Sequence, residues 1–129
     1  MTQEDKELLL KDLCARLPYG IKVLYDNQIF EIQYIEAMYE ELKLLDNERY
    51  TLSIEDVKPY LFPLSSMTDE QKTEHNDTLI QLELKSLNDE IEHHKVAEFE
   101  IDFYNKNMFD YRGLIDKGLA LDATNKNIY

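Results

Sequence analysis

The chain has one cysteine, three glycines, three prolines and no tryptophan in 129 residues. Each scarcity excludes something. A single thiol, Cys14, forms no intramolecular disulfide framework and leaves too few ligands for a thiolate zinc site. Three scattered glycines build neither a phosphate-cradling loop nor a dinucleotide fingerprint, both of which need clustered glycines. No apolar run approaches the roughly 18–20 residues that span a bilayer. The opening MTQEDKELLL lacks the basic region and long apolar core of a secretory signal. Positive charge is scarce as well: 14 Lys and Arg face 27 Asp and Glu, a net charge of −13. That field repels nucleic-acid phosphates and anionic lipid heads. The reading is a cytoplasmic protein with no direct nucleic-acid partner and no membrane association.

What is present argues for a folded domain. Hydrophobic residues make up 43% of the chain, with nine Tyr and five Phe, too apolar for wholesale disorder. The length suits one domain over residues 1–129. Charge is unevenly spread. Residues 1–60 hold 13 acids and 7 bases, residues 61–100 hold 10 and 3, and residues 101–129 hold 4 of each. All the excess negative charge lies in the first hundred residues.

Hydrophobic periodicity predicts the elements. Leu9, Leu10, Leu13 and Leu17 recur at helical spacing, so Thr2–Pro18 reads as a helix capped by Thr2 and stopped by Pro18 and Gly20. The period then falls to two. Ile21, Val23 and Tyr25; Phe30, Ile32 and Tyr34; Leu42 and Leu44; and Tyr50, Leu52 and Ile54 predict four short strands in an antiparallel meander. Ser53 to Asp56 predicts one capped helical turn. PYLFPL, residues 59–64, reads as an apolar connection crossing the core. Thr68 with Gln71 forms a capping box opening a helix. The first half of that helix has no apolar residue; the second carries a stripe of Ile80, Leu84, Leu87 and Ile91. Val96, Phe99 and Phe103 favour a further helix, although Phe99, Ile101 and Phe103 also fit a strand. TNKNIY, residues 124–129, reads as an untethered tail. The fold class is α+β: an N-terminal helix, a small antiparallel meander sheet resembling an SH3-like barrel, then helices and a C-terminal irregular clip.

Candidate chemistry is sparse. Cys14 lies one turn from Leu10 and Leu17 in acidic surroundings, which favours an inert core thiol over a nucleophile. Glu90 and His93 have the Glu-x-x-His spacing of di-iron bundles, but the second copy is missing because Lys72 precedes His75 by three. The adjacent carboxylate pairs read as solvated surface, and no Asp-x-Asp-x-Asp-Gly calcium loop occurs. No catalytic, cofactor or metal residue is assigned.

One stretch departs from the acidic pattern. NMFDYRGLIDKGLALDA, residues 107–123, carries two of the three glycines and the large apolar side chains Phe109, Tyr111, Leu114, Ile115, Leu119 and Leu121. It reads as a clip sealing the core, and its outer face, Phe109, Asp110, Tyr111 and Arg112, is a candidate partner surface rich in the residue types of binding hot spots. Asp110 is placed either to pair with Arg112 or to satisfy turn amides. A candidate acidic face comprises Asp69, Glu70, Glu74, Asp77, Glu83 and Glu90.

LCARLPYG at 13–20, VKPYLFPLSSMT at 57–68 and NKNMFDYRGLIDKGLALDA at 105–123 resemble segments of small acidic proteins encoded in gut-bacterial and prophage-type genomes. The resemblance implies a mobile-element or phage-associated origin and carries no catalytic residues. Two functions stand together at this point. The first is a non-enzymatic protein-interaction or accessory protein. The second is an acidic inhibitor or nucleic-acid mimic that occupies a basic site on a host enzyme.

Overall fold

Thr2 begins the structure with a capping box, its hydroxyl accepting from the Asp5 amide while the Asp5 carboxylate accepts from the Thr2 amide. Helix α1 runs from Gln3 to Arg16, and Pro18 and the left-handed Gly20 turn the chain away. The computed structural model describes residues 1–87 and 93–129. The expected stripe residue Ile91 and the acidic-face residue Glu90 lie outside these.

The predicted meander is present. Strands β1 (Lys22–Tyr25), β2 (Gln28–Glu36), β3 (Glu41–Leu44) and β4 (Asn47–Ser53) pair antiparallel in sequence. Asp26 and Asn27 both take positive φ between paired Tyr25 and Gln28, the two-residue turn that matches strand twist. Alternation fails in β2. Pairing shifts between Ile32 and Tyr34, a β-bulge at Gln33. The inward phase therefore passes from Phe30 and Ile32 to Ile35, and Tyr34 turns to solvent, where Lys43 Nζ lies 5.8 Å from its ring centroid.

PYLFPL is a strand instead of a connection. β5 (Lys58–Pro63) pairs antiparallel with β1 and follows a single 3-10 turn, Ile54–Asp56, capped by Ser53. Two short strands from the clip, β6 (Phe109–Asp110) and β7 (Leu121–Asp122), pair parallel with β5. The sheet is therefore mixed, in the order β4-β3-β2-β1-β5-β6 with β7 also on β5. Covered by the clip as well as the meander, β5 reads as a continuous apolar run, the usual signature of parallel neighbours. Among the described residues no ladder joins β4 to β5.

Helix α2 spans Asp69–Ser86 behind the Thr68 and Gln71 capping box, its polar first half included. Helix α3 spans His93–Lys106, so the ambiguous stretch is helix as far as Lys106, and Asn107 lies in the turn that follows. The architecture is α+β: an N-terminal helix, a mixed, mainly antiparallel sheet and two further helices. The main core joins Leu9 and Leu13 of α1, the inward residues of the meander, and Leu114, Leu119 and Ala120 of the clip.

The tail is tethered, contrary to expectation. Ile128 is buried with Tyr60 and Ala123. The Lys22 amide donates to the Tyr129 hydroxyl at 3.0 Å, and that hydroxyl donates to the Tyr60 carbonyl at 2.8 Å. Tyr129 is 45% exposed as a whole, yet partial desolvation pushes its phenol up to about 12. An isoleucine and a tyrosine at the chain end are reason enough to dock: both lose apolar surface to water if left free.

Candidate functional site

The stretch 109–112 is engaged inward. Phe109 is 2% exposed, so its ring belongs to the interior and not to a partner surface. Its carbonyl accepts from Arg16 Nη2 at 2.6 Å, and the Tyr104 carbonyl accepts from Arg16 Nη1 at 3.4 Å. Arg16 Nε donates to Asp12 Oδ2 at 2.9 Å, one helical turn back. The other oxygen, Asp12 Oδ1, takes Arg112 Nη1 at 2.7 Å. Asp12 and Arg16 are both fully buried. One carboxylate thus lies between two guanidiniums, one from each end of the chain.

Tyr111 completes this arrangement. The guanidinium carbons of Arg112 and Arg16 lie 4.5 and 5.4 Å from its ring centroid, a contact that the ring quadrupole favours. The ring stacks on Tyr104 at 5.5 Å, and its hydroxyl donates to Asn105 Oδ1 at 3.1 Å. Of the two roles foreseen for Asp110, the structure selects the turn: both carboxylate oxygens accept backbone amides, from Leu114 and Ile115, at 2.9 Å. Gly113 and Gly118 take φ of +74° in this turn, a conformation that disfavours any side chain. The network is a structural clamp that holds the clip on α1 and α3.

The exposed apolar surface lies elsewhere. Ile80, Leu84 and Leu87, three residues of the predicted apolar stripe, are 55%, 59% and 79% exposed. They form the α2 wall of a groove of about 620 Å³, with Val96 and Ala97 of α3 opposite. Glu83 and Glu100 also line it. The helices do pack on each other, but through other side chains: His75 of α2 sits among Phe99, Phe103 and Tyr104 of α3, at centroid distances of 5.9, 5.1 and 5.7 Å. Ile80, Leu84 and Leu87 lie outside that aromatic contact.

The acidic face divides. Asp69, Glu70, Glu74 and Asp77 border one shallow exposed surface on the first half of α2. Glu83 belongs to the apolar groove instead. The His75 imidazole Nε2 is buried, 3.7 Å from Glu100 Oε1, too far for a hydrogen bond. His94 is exposed. Among the described residues no group of three or more His, Cys, Asp or Glu is placed to hold a metal ion.

Cys14 was expected in the core and is exposed. The inward positions of α1 are Leu9, Asp12, Leu13 and Arg16, so the stripe runs along one side of Cys14. Partial desolvation holds the thiol above its ordinary value, which disfavours the thiolate. Among the described residues no helix is long and apolar enough to cross a membrane.

The buried Asp12 and Arg16 escaped the reading of the sequence, yet a signal existed. Two opposite charges four apart inside an apolar stripe point to a paired, buried couple, because an isolated buried charge is too costly. Compared with protein-family models, curated proteins and solved structures, the chain matches none.

Proposed function

We propose that this chain is a non-enzymatic protein-interaction module whose docking element is the α2–α3 hairpin. The observation that carries the reading is the exposure of Ile80, Leu84 and Leu87 along one face of α2, beside a groove. Three large aliphatic side chains in a row on a helix mark a surface made for contact, since scattered single ones are the ordinary case. The hot-spot residue types of the clip support no rival surface: Phe109, Tyr111 and Arg112 have their partners inside the molecule. A cytoplasmic setting suits the lone thiol, because small extracellular domains commonly carry disulfides. The resemblance of three segments to proteins of prophage-type genomes supports an accessory role on a mobile element.

The test is affinity capture from a gut-bacterial lysate with the wild-type chain and with a Leu84→Ser, Leu87→Ser variant of equal melting temperature. A partner retained by the first and lost from the second supports the reading. Identical sets from both overturn it.

The run of Asp69, Glu70, Glu74 and Asp77 on one exposed surface favours a second reading, an acidic inhibitor that fills a basic site on a host enzyme. Such binding weakens steeply with salt and is lost on Glu70→Lys, Glu74→Lys, while the leucine variant leaves it intact.

A further inference from the structure

We infer that the groove between α2 and α3 receives a short cationic amphipathic helix from another protein. The inference rests on the interaction reading above and adds the chemistry of the partner. The α2 wall supplies anchors at spacings of four and three, Ile80, Leu84 and Leu87, which extend along the axis by roughly 10 Å, two helical turns. An occupant that buries them needs apolar side chains on one face over the same length, the i, i+3/i+4, i+7 pattern of a helix in a groove. On the α3 side, Ala97 leaves room for a backbone to approach.

The lining selects charge. Glu83 of α2 and Glu100 of α3 both line the groove. Over residues 69–86 and 93–106 the two helices hold eight acids against four lysines, within a chain of net −13. Lys or Arg beside the apolar face of the occupant lies toward these carboxylates, and its aliphatic stem covers the rim leucines. A second copy of this chain is a poor occupant by the same argument, because its hairpin brings the same excess of acid to the same contact. An anionic lipid surface is repelled likewise.

The experiment uses the full chain and three synthetic peptides of about 16 residues. One has leucines at i, i+3, i+4 and i+7 with Lys and Arg on the remaining faces. The second has the same composition in scrambled order, and the third has Glu in place of each base. Titration is followed by amide chemical shifts. The basic amphipathic peptide is expected to bind at least about tenfold more tightly than either control, a difference of about 1.4 kcal/mol. Shifts should centre on Ile80–Leu87 and Val96–Glu100. Leu84→Ser, Leu87→Ser should abolish binding, and Glu83→Lys with Glu100→Lys should weaken it about tenfold and flatten its salt dependence. Equal binding of the scrambled peptide, or shifts centred on Asp69–Asp77, would show mere charge attraction and overturn the inference. Binding of the acidic peptide, or a wild-type dimer that Leu84→Ser dissolves, would overturn the cationic partner while leaving the hairpin as an interaction face. Loss of the hairpin itself is read separately, from identical capture by wild type and the leucine variant.

Discussion

Arg112 Nη1 lies 2.7 Å from Asp12 Oδ1, joining positions one hundred residues apart. The carboxylate between them also holds Arg16, whose Nη2 reaches the Phe109 carbonyl. Helix α1 and the clip are therefore fastened by one buried acid. Asp12→Ala should destabilise the fold by about 3–5 kcal/mol, because it leaves buried Arg16 without its counter-charge. Arg112→Ala, with a partly exposed side chain, should cost less, about 1–3 kcal/mol. Urea unfolding measures both, and the double variant should cost clearly less than the two single losses together.

Leu119 is buried in the main core beside Leu114 and Ala120. Leu119→Asp should destabilise by about 3 kcal/mol or more, the result of an unpaired charge in apolar surroundings. Thermal melting reads this directly. An unchanged melting temperature would mean that the clip is not part of the core.

Leu84→Ser and Leu87→Ser should shift stability by no more than about 0.5 kcal/mol each, since both side chains already face water. A loss of several kcal/mol from either would show that these leucines are packed and would remove the docking surface.

The Tyr129 hydroxyl supplies a pH dependence. Its folded pKa is raised from 10.0 to about 12, first by burial. The unfolded chain thus releases this proton earlier, and the neutral phenol is the form that the fold favours. Its contribution is complete below about pH 10 and declines as pH rises between 10 and 12. Wild type should lose stability over that window more steeply than Tyr129→Phe, whose ring can still meet Phe62 but cannot ionise. Parallel profiles would mean that the hydroxyl is not held inside.

The sequence made local elements legible and long-range partners much less so. Caps at Thr2, Ser53 and Thr68 each mark a helical start by hydrogen bonds within four residues, and all three are found. Alternation located the meander because each strand there pairs with its neighbour in sequence. It failed at Tyr34, where one bulged residue exchanges the two faces. The strand character of PYLFPL depended on partners some fifty residues later, Phe109–Asp110 and Leu121–Asp122, which no local period announces. The aliphatic stripe of α2 was legible as a face, but periodicity does not report what covers it. The aromatic set Phe99, Phe103 and Tyr104 took His75 as its neighbour and left Ile80, Leu84 and Leu87 outside. Tyr111 and Arg112 have hot-spot composition, but here they bind each other, Asn105 and Asp12.

The most direct measurement is native-state amide hydrogen exchange, residue by residue. The C-terminal stretch closes the core through Leu114, Leu119 and Ala120. The amides of Leu119 and Ala123, which donate to the Leu114 and Leu61 carbonyls at 2.9 and 2.8 Å, should exchange as slowly as those of β1 and β5. Exchange of these two amides at free-peptide rates, with β1 and β5 still protected, would contradict it.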